Sequence, residues 1–349
     1  MSNGPAKKFG THPRGVAATN CNTTTTPEPP PAEPEVDDDD ETEVCGLPPD
    51  LQILGAARKR SQYWHLPTNV WDKIGKEATG KGVVIANLDT GYNPKHPFSP
   101  KPIAARSFVP GERDAVDLNG HGSHTVGTCC GRSPTISPAP EADLIVAKVL
   151  GARGQGDSNA IARAIRWATD EGANVVSMSL GGPSPYGPTQ EAIQYANSKG
   201  VLVVAAAGND GFTGRQNTIG YPAKYESSLC IGAYQKDGRI ASFSSGGREI
   251  DMAAPGQDIV SCDYKSKGLV RMSGTSMATP FAAGLFALVF ELIQREGAAW
   301  PTGPGWWREF IAAHSEDRGA PGKDAQFGYG VPRSLDIVRQ LSHHEIKWI

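Results

Sequence analysis

The sequence predicts a doubly wound α/β domain, a mainly parallel sheet with helices on both faces. From Gly82 onward, short apolar runs alternate with helical patterns of about ten to fifteen residues, the order expected when crossover helices join parallel strands. The apolar runs are rich in branched aliphatics and do not alternate with polar residues, as befits strands buried on both faces. No internal repeat interrupts the series, so it reads as one domain of roughly 280 residues.

Strands are expected at 83–88, 144–149, 175–178, 201–205 and 229–233, and helices at 159–171, 188–199 and 275–295. In such a sheet, reactive groups gather where strands end. The first strand runs into Asp89-Thr90-Gly91, where an aspartate also suits a simple turn. Next comes Asn119-Gly120-His121-Gly122-Ser123-His124, a glycine-flanked histidine opening a helix of small residues. The spacing of its two histidines fits neither a His-Glu-x-x-His helix nor a zinc finger, so no metal is assigned.

The strand 201–205 continues into Ala206-Ala207-Gly208-Asn209, where the asparagine is either a turn residue or an amide donor into a cleft. The helix 275–295 starts in Ser273-Gly274-Thr275-Ser276-Met277-Ala278-Thr279-Pro280. Ser276 there reads equally as a helix cap or as a nucleophile beside the unpaired N–H groups and positive dipole end of a helix. Pro280 lies close enough to the first turn to be tolerated.

Together these segments resemble the subtilisin-like serine peptidases, whose catalytic residues follow the chain order Asp, His, Ser. Asp-Thr-Gly at 89–91, His-Gly-x-His at 121–124 and Gly-Thr-Ser-Met-Ala-x-Pro at 274–280 occur in that order, with Ala-Ala-Gly-Asn at 206–209 between them. The similarity extends from about residue 64 to 332 and includes Trp71-Asp72, Lys148-Val149-Leu150-Gly151, Gly220-Tyr221-Pro222-Ala223 and Gly328-Tyr329-Gly330. It implies a three-layer fold and a serine endopeptidase. Ser276 would be the nucleophile, His121 the general base and Asp89 its orienting partner, with Asn209 and the Ser276 N–H as the oxyanion hole. By the same resemblance, Gly154-Gln155-Gly156 and Ser179-Leu180-Gly181 would flank an extended peptide. Ala206, Ala207 and Gly208 would form one wall of an open, apolar pocket for the residue before the scissile bond. His124 would be a packed helix residue.

The 349 residues carry a net charge of −3 without basic runs, which names neither nucleic acid nor an anionic membrane as a partner. No stretch reads as the roughly 20 apolar residues that span a bilayer, and residues 1–26 lack the apolar core of a secretory signal. These features favour a cytoplasmic location over non-classical export. Six cysteines, two of them adjacent at Cys129 and Cys130, form no disulfide framework, and reduced thiols are expected. Residues 1–60, with a Pro and Glu tract and four aspartates at 37–40, are expected to form a disordered tail and candidate pro-segment. Arg58-Lys59-Arg60 reads as a processing site or a solvated basic turn. The peptidase domain then spans 61–343, with a short tail at 344–349.

The segment after Thr128 departs from the family pattern. It lacks the asparagine-rich loop that wraps calcium in several relatives, so no cofactor and no structural calcium are expected. The partner expected is a polypeptide substrate met by a monomer. Two other readings remain at this stage: a catalytically silent peptide-binding scaffold, and a non-peptidase serine hydrolase. The intact Asp89, His121, Ser276 and Asn209 oppose the first, and the absence of Gly-x-Ser-x-Gly opposes the second.

Overall fold

A computed structural model describes residues 16–17, 64–65, 78–298 and 300–332. The expectations for Arg58-Lys59-Arg60, Trp71-Asp72, the acidic run at 37–40 and the tail at 344–349 lie outside the described residues. Within the stretch read as a tail, Val16–Ala17 form a short strand, β1.

Seven parallel strands form the central sheet: β2 (Val84–Asp89), β3 (Ala104–Ser107), β4 (Asp143–Lys148), β6 (Val175–Met178), β7 (Leu202–Ala206), β8 (Leu229–Tyr234) and β9 (Ile250–Pro255). They lie in the order β3-β4-β2-β6-β7-β8-β9, so the chain starts inside the sheet, crosses to the edge at β3, returns to β4 beside β2, and then winds outward on the other side from β6 to β9. The reversal falls at β2, the point where an open α/β sheet leaves a crevice at its strand ends. Asp89 is the last residue of β2 rather than the first of the following loop. It pairs in register with Lys148, which keeps the backbone extended through the carboxylate.

The helices α1 (His121–Cys130) and α4 (Thr275–Arg295) pack their apolar residues on one face of the sheet. On the other face lie α2 (Ser158–Asp170) and α3 (Gly187–Ser198). Three layers result, as expected. The strand β5 (Gln155–Gly156) leads into α2, whose first turn is capped by the Asp157 carboxylate accepting from the Ala160 N–H at 3.2 Å. A hairpin of β10 (Ile259–Cys262) and β11 (Leu269–Met272) and the helix α5 (Pro304–His314) complete the domain, with short β12 (Ser315–Glu316) pairing β13 (Val331–Pro332).

One expectation is corrected here. The α4 helix is long and apolar enough to cross a bilayer by length and composition. Its apolar stretch is wholly buried, so its apolarity belongs to a core helix rather than to a span. The segment read as lacking a calcium loop packs Ile136 against Phe98 and Cys262 in an apolar cluster.

Candidate active site

The first helix turn explains how His121 is held. Gly120 offers no capping side chain, so the unpaired N–H groups of α1 turn to neighbouring residues. His121 N donates to Asn119 Oδ1 at 3.1 Å, Gly122 N to Thr90 Oγ1 at 2.8 Å, and Ser123 N to Asp117 Oδ2 at 2.8 Å. The Asp117 carboxylate also accepts from Thr90 Oγ1, Asn119 N, Gly120 N and Ser123 Oγ, all at 2.7–2.9 Å. Thr90 and Asp117 thus tie the end of β2 to the start of α1. Gly122 is required for that approach, because a Cβ there would stand 2.2 Å from the Gly91 carbonyl oxygen.

With α1 seated in this way, His121 Nδ1 lies 2.7 Å from Asp89 Oδ1 and 2.9 Å from Oδ2. Asp89 is fully buried, and its Oδ1 also accepts from the Thr90 N–H at 2.6 Å. A buried carboxylate is tolerable only when hydrogen bonds surround it. Here they also fix the imidazole, with the Nδ1 proton directed at Asp89.

Ser276 is the second residue of α4. Its carbonyl would ordinarily accept from the N–H four residues later, but that residue is Pro280, which has none. Ser179 Oγ supplies the bond instead, donating to Ser276 O at 2.7 Å. Ser179 follows Met178, and Met178 is in register with Leu88, so Ser179 emerges beside Asp89 at the same end of the sheet. The α1 helix packs along α4 on that face. The structure therefore brings Asp89, His121, Ser179 and Ser276 to one sheet end.

Asn209 joins them by way of Gly208, whose positive φ of 116° turns the chain out of β7. Its Oδ1 accepts from both Thr275 N and Thr275 Oγ1 at 3.0 Å, which leaves the amide nitrogen as the end facing Gly274. A Cβ on Gly274 would come within 3.3 Å of that nitrogen. Ala206, Ala207 and Gly208 are buried, as are Ser179 and Leu180, with the Leu180 side chain in the core. Gly154-Gln155-Gly156 forms an edge fixed by the capped α2, and Asn119 Nδ2 donates to Ala152 O at 2.9 Å, linking it to the His121 loop. Val16 pairs antiparallel with Gly156 of that edge, and Ala17 with Gln155.

His124 points away from this cluster. Its Nε2 lies 2.9 Å from Ile259 O, and burial pushes its imidazole down to about 3. The paired cysteines are also remote from the chemistry; both are buried and both lie near the Val126 carbonyl. Burial raises the Cys129 thiol well above its ordinary value, so it is an unreactive packing residue. The anchoring roles of Thr275, Thr90 and Asp117 were not apparent from the sequence. Thr275 stood inside a quoted motif, and the only hint at Asp117 was an aspartate four residues before the histidine.

The subtilase family matches residues 80–330 of the chain. Subtilisin DY of Bacillus licheniformis is 43% identical over 222 residues, 62% of this chain and 80% of that protein. M-protease of Shouchella clausii (strain KSM-K16) is 42% identical over 214 residues, 60% of this chain but 54% of that protein, so the chain matches about half of that relative. The intracellular serine protease of Paenibacillus polymyxa is 37% identical over 228 residues, 63% of this chain and 70% of that protein. A family match across most of the chain, joined to the geometry around Ser276, settles the class: the chain belongs to the subtilase family and is a serine-type endopeptidase acting on polypeptides, with no cofactor needed for its chemistry.

Proposed function

We propose that peptide bonds are cleaved through an acyl-enzyme on Ser276. The observation that carries this reading is the buried Asp89–His121 pair, at 2.7 Å, with Asp89 ending the strand next to β6, after which Ser179 holds Ser276. With its Nδ1–H donated to the Asp89 carboxylate, His121 keeps Nε2 basic. Nε2 takes the hydroxyl proton as Ser276 Oγ attacks the carbonyl carbon. The developing oxyanion is met by Asn209 Nδ2 and the Ser276 N–H. As the C–N bond breaks, the same proton passes from Nε2 to the leaving amine, and water then hydrolyses the ester with His121 again as base.

The peptide lies extended between Gly154-Gln155-Gly156 and Ser179-Leu180-Gly181. Its residue before the scissile bond faces the small side chains of Ala206 and Ala207 and the turn at Gly208. The antiparallel seat of Val16–Ala17 on Gln155–Gly156 supports this reading, because it is the backbone pairing an extended substrate would make. The reading takes 61–343 as the peptidase domain of a monomer, with 1–60 as a tail, and includes neither nucleic acid nor membrane as partner. It includes no structural calcium; in the segment after Thr128, Ile136 packs against Phe98 and Cys262.

The test is incubation with casein and with a fluorophosphonate. Cleavage and covalent labelling are expected, and both vanish in Ser276→Ala. Proteolysis persisting in a clean Ser276→Ala preparation would overturn the assignment, and an inert wild-type protein would favour the silent scaffold.

A further inference from the structure

The core strand β2 contains an amide where its pattern calls for an aliphatic side chain. Asn87 is fully buried in the run Val84–Asp89, two residues before Asp89 on the same face of the sheet. Its Nδ2 donates to Thr125 Oγ1 at 3.0 Å, and Thr125, also fully buried, lies one helical turn after His121. Thr125 Oγ1 in turn lies 3.2 Å from Asp89 Oδ2 and 3.0 Å from Gly122 O. Among the described residues Asn87 Oδ1 has no partner, and neither has the buried Ser177 Oγ at the paired position of β6. Packing alone does not account for an amide placed at a buried position of a core strand.

The hydroxyl has a single proton. By donating to Thr125 Oγ1, the Asn87 amide leaves that proton for Asp89 Oδ2 or the Gly122 carbonyl, and the charged carboxylate is the stronger acceptor. We propose that Thr125, aligned by Asn87, is a positioning residue that gives Asp89 a donor on Oδ2 in addition to Thr90 N–H on Oδ1 and His121. This rests on the reading of Asp89, His121 and Ser276 as the triad. The added donor holds the plane of the carboxylate against the imidazole and draws charge away from it, so that the imidazolium of His121 is less strongly stabilised.

The other charged or titratable groups around the pair come from several elements. His124 follows on α1, Asp117 lies in the preceding loop with five donors on its carboxylate, and Lys148 on β4 pairs with Glu112 and donates to Val116 O. None of these contacts involves the Thr125 hydroxyl.

Removing the hydroxyl leaves the carboxylate charge of Asp89 to be met by fewer donors, which favours the protonated form of His121. The acid limb of the kcat/KM profile should therefore move to higher pH in Thr125→Val, by about half a unit. At pH 6 to 7, kcat/KM should fall by up to about 3-fold, the most that a half-unit shift allows, through kcat rather than KM. Thr125→Ser keeps the hydroxyl and should restore the wild-type limb; Asn87→Leu should shift it in the same direction as Thr125→Val, by less. A Thr125→Val profile that superimposes on the wild type would overturn the proposal, as would a shift that Thr125→Ser fails to reverse. If Thr125→Val does not fold, the Asn87→Leu profile decides, and an unshifted limb there sinks the idea. Ser276→Ala measured alongside separates the two claims: loss of labelling in Ser276→Ala with an unmoved limb in Thr125→Val removes this inference and leaves the triad reading intact.

Discussion

The hydroxyl of Ser179 replaces the backbone donor that Pro280 removes from α4. Ser276 O accepts from it at 2.7 Å, across 97 residues of sequence. A proline in the second turn of a helix ordinarily leaves an orphan carbonyl. Here that carbonyl belongs to the residue proposed as nucleophile, and the bond that satisfies it fastens α4 to the end of β6.

This relationship predicts a coupling. Ser179→Ala should destabilise the protein by about 1–3 kcal/mol, the cost of leaving a buried carbonyl unpaired. Pro280→Ala supplies an N–H to the same oxygen, so the double variant should recover about 1 kcal/mol of that loss. Denaturant midpoints in a Ser276→Ala background, which prevents autolysis, give the cycle directly. Strictly additive losses would show that the two residues act separately.

Asn209→Ala removes the proposed oxyanion donor while leaving the Asp89–His121 pair untouched. The expected drop is about 10²–10³ in kcat with little change in KM, a size taken from the oxyanion-hole asparagine of a subtilisin. Thr275→Val, which removes the Oγ1 donor to Asn209 Oδ1 and keeps the backbone N–H, should move kcat in the same direction by a smaller factor. A loss confined to KM in either variant would place Asn209 in substrate binding instead.

The fold was legible where burial dictated the residue types. The strand expected at 175–178 and the helix expected at 275–295 agree with β6 and α4, because both are apolar on every side. The strand expected at 201–205 slips by one residue, because Val201 N closes the turn after α3 on Ala196 O. β3 left no signal: Ala-Ala-Arg-Ser is a short edge strand with two exposed residues. α5 was hidden behind Pro301 and Pro304, although Pro304 is a normal first-turn residue and the helix buries Trp307 and Phe310. At the site, Asp89, His121, Asn209 and Ser276 stood out because motifs marked them. Of the residues that hold them, Thr275, Thr125 and Asn87 act through contacts spanning 36 to 67 residues, which no local pattern encodes, and Asp117 joins Thr90, 27 residues away, to the nearby start of α1.

Asp117 gathers five donors on one carboxylate, three of them from the backbone leading into α1. Asp117→Ala leaves those donors buried and unpaired, and should cost about 3 kcal/mol or more. Activity should fall further than stability accounts for, because the loop that carries His121 loses its anchor. Comparing kcat with the fraction folded at the assay temperature separates the two; activity that simply tracks the folded fraction would reduce Asp117 to a scaffold residue.

His124 makes stability depend on pH in a definite direction. In the folded protein its imidazole is pushed down to about 3 by burial, which outweighs the hydrogen bond to the Ile259 carbonyl, whereas an exposed histidine titrates near 6.5. Between those values the unfolded chain binds a proton that the folded protein refuses, so stability rises with pH. The contribution is complete above about pH 6.5 and is lost as pH falls toward 3, at up to about 1.4 kcal/mol per pH unit for one proton. His65, lowered to about 4 by burial, acts with the same sign over a narrower range. His124→Gln keeps a donor for Ile259 O without a titrating ring. Urea midpoints of the Ser276→Ala protein should therefore fall steeply from pH 6.5 to 4, and those of the double variant less so. Parallel curves would mean that His124 is not the group that takes up the proton on unfolding.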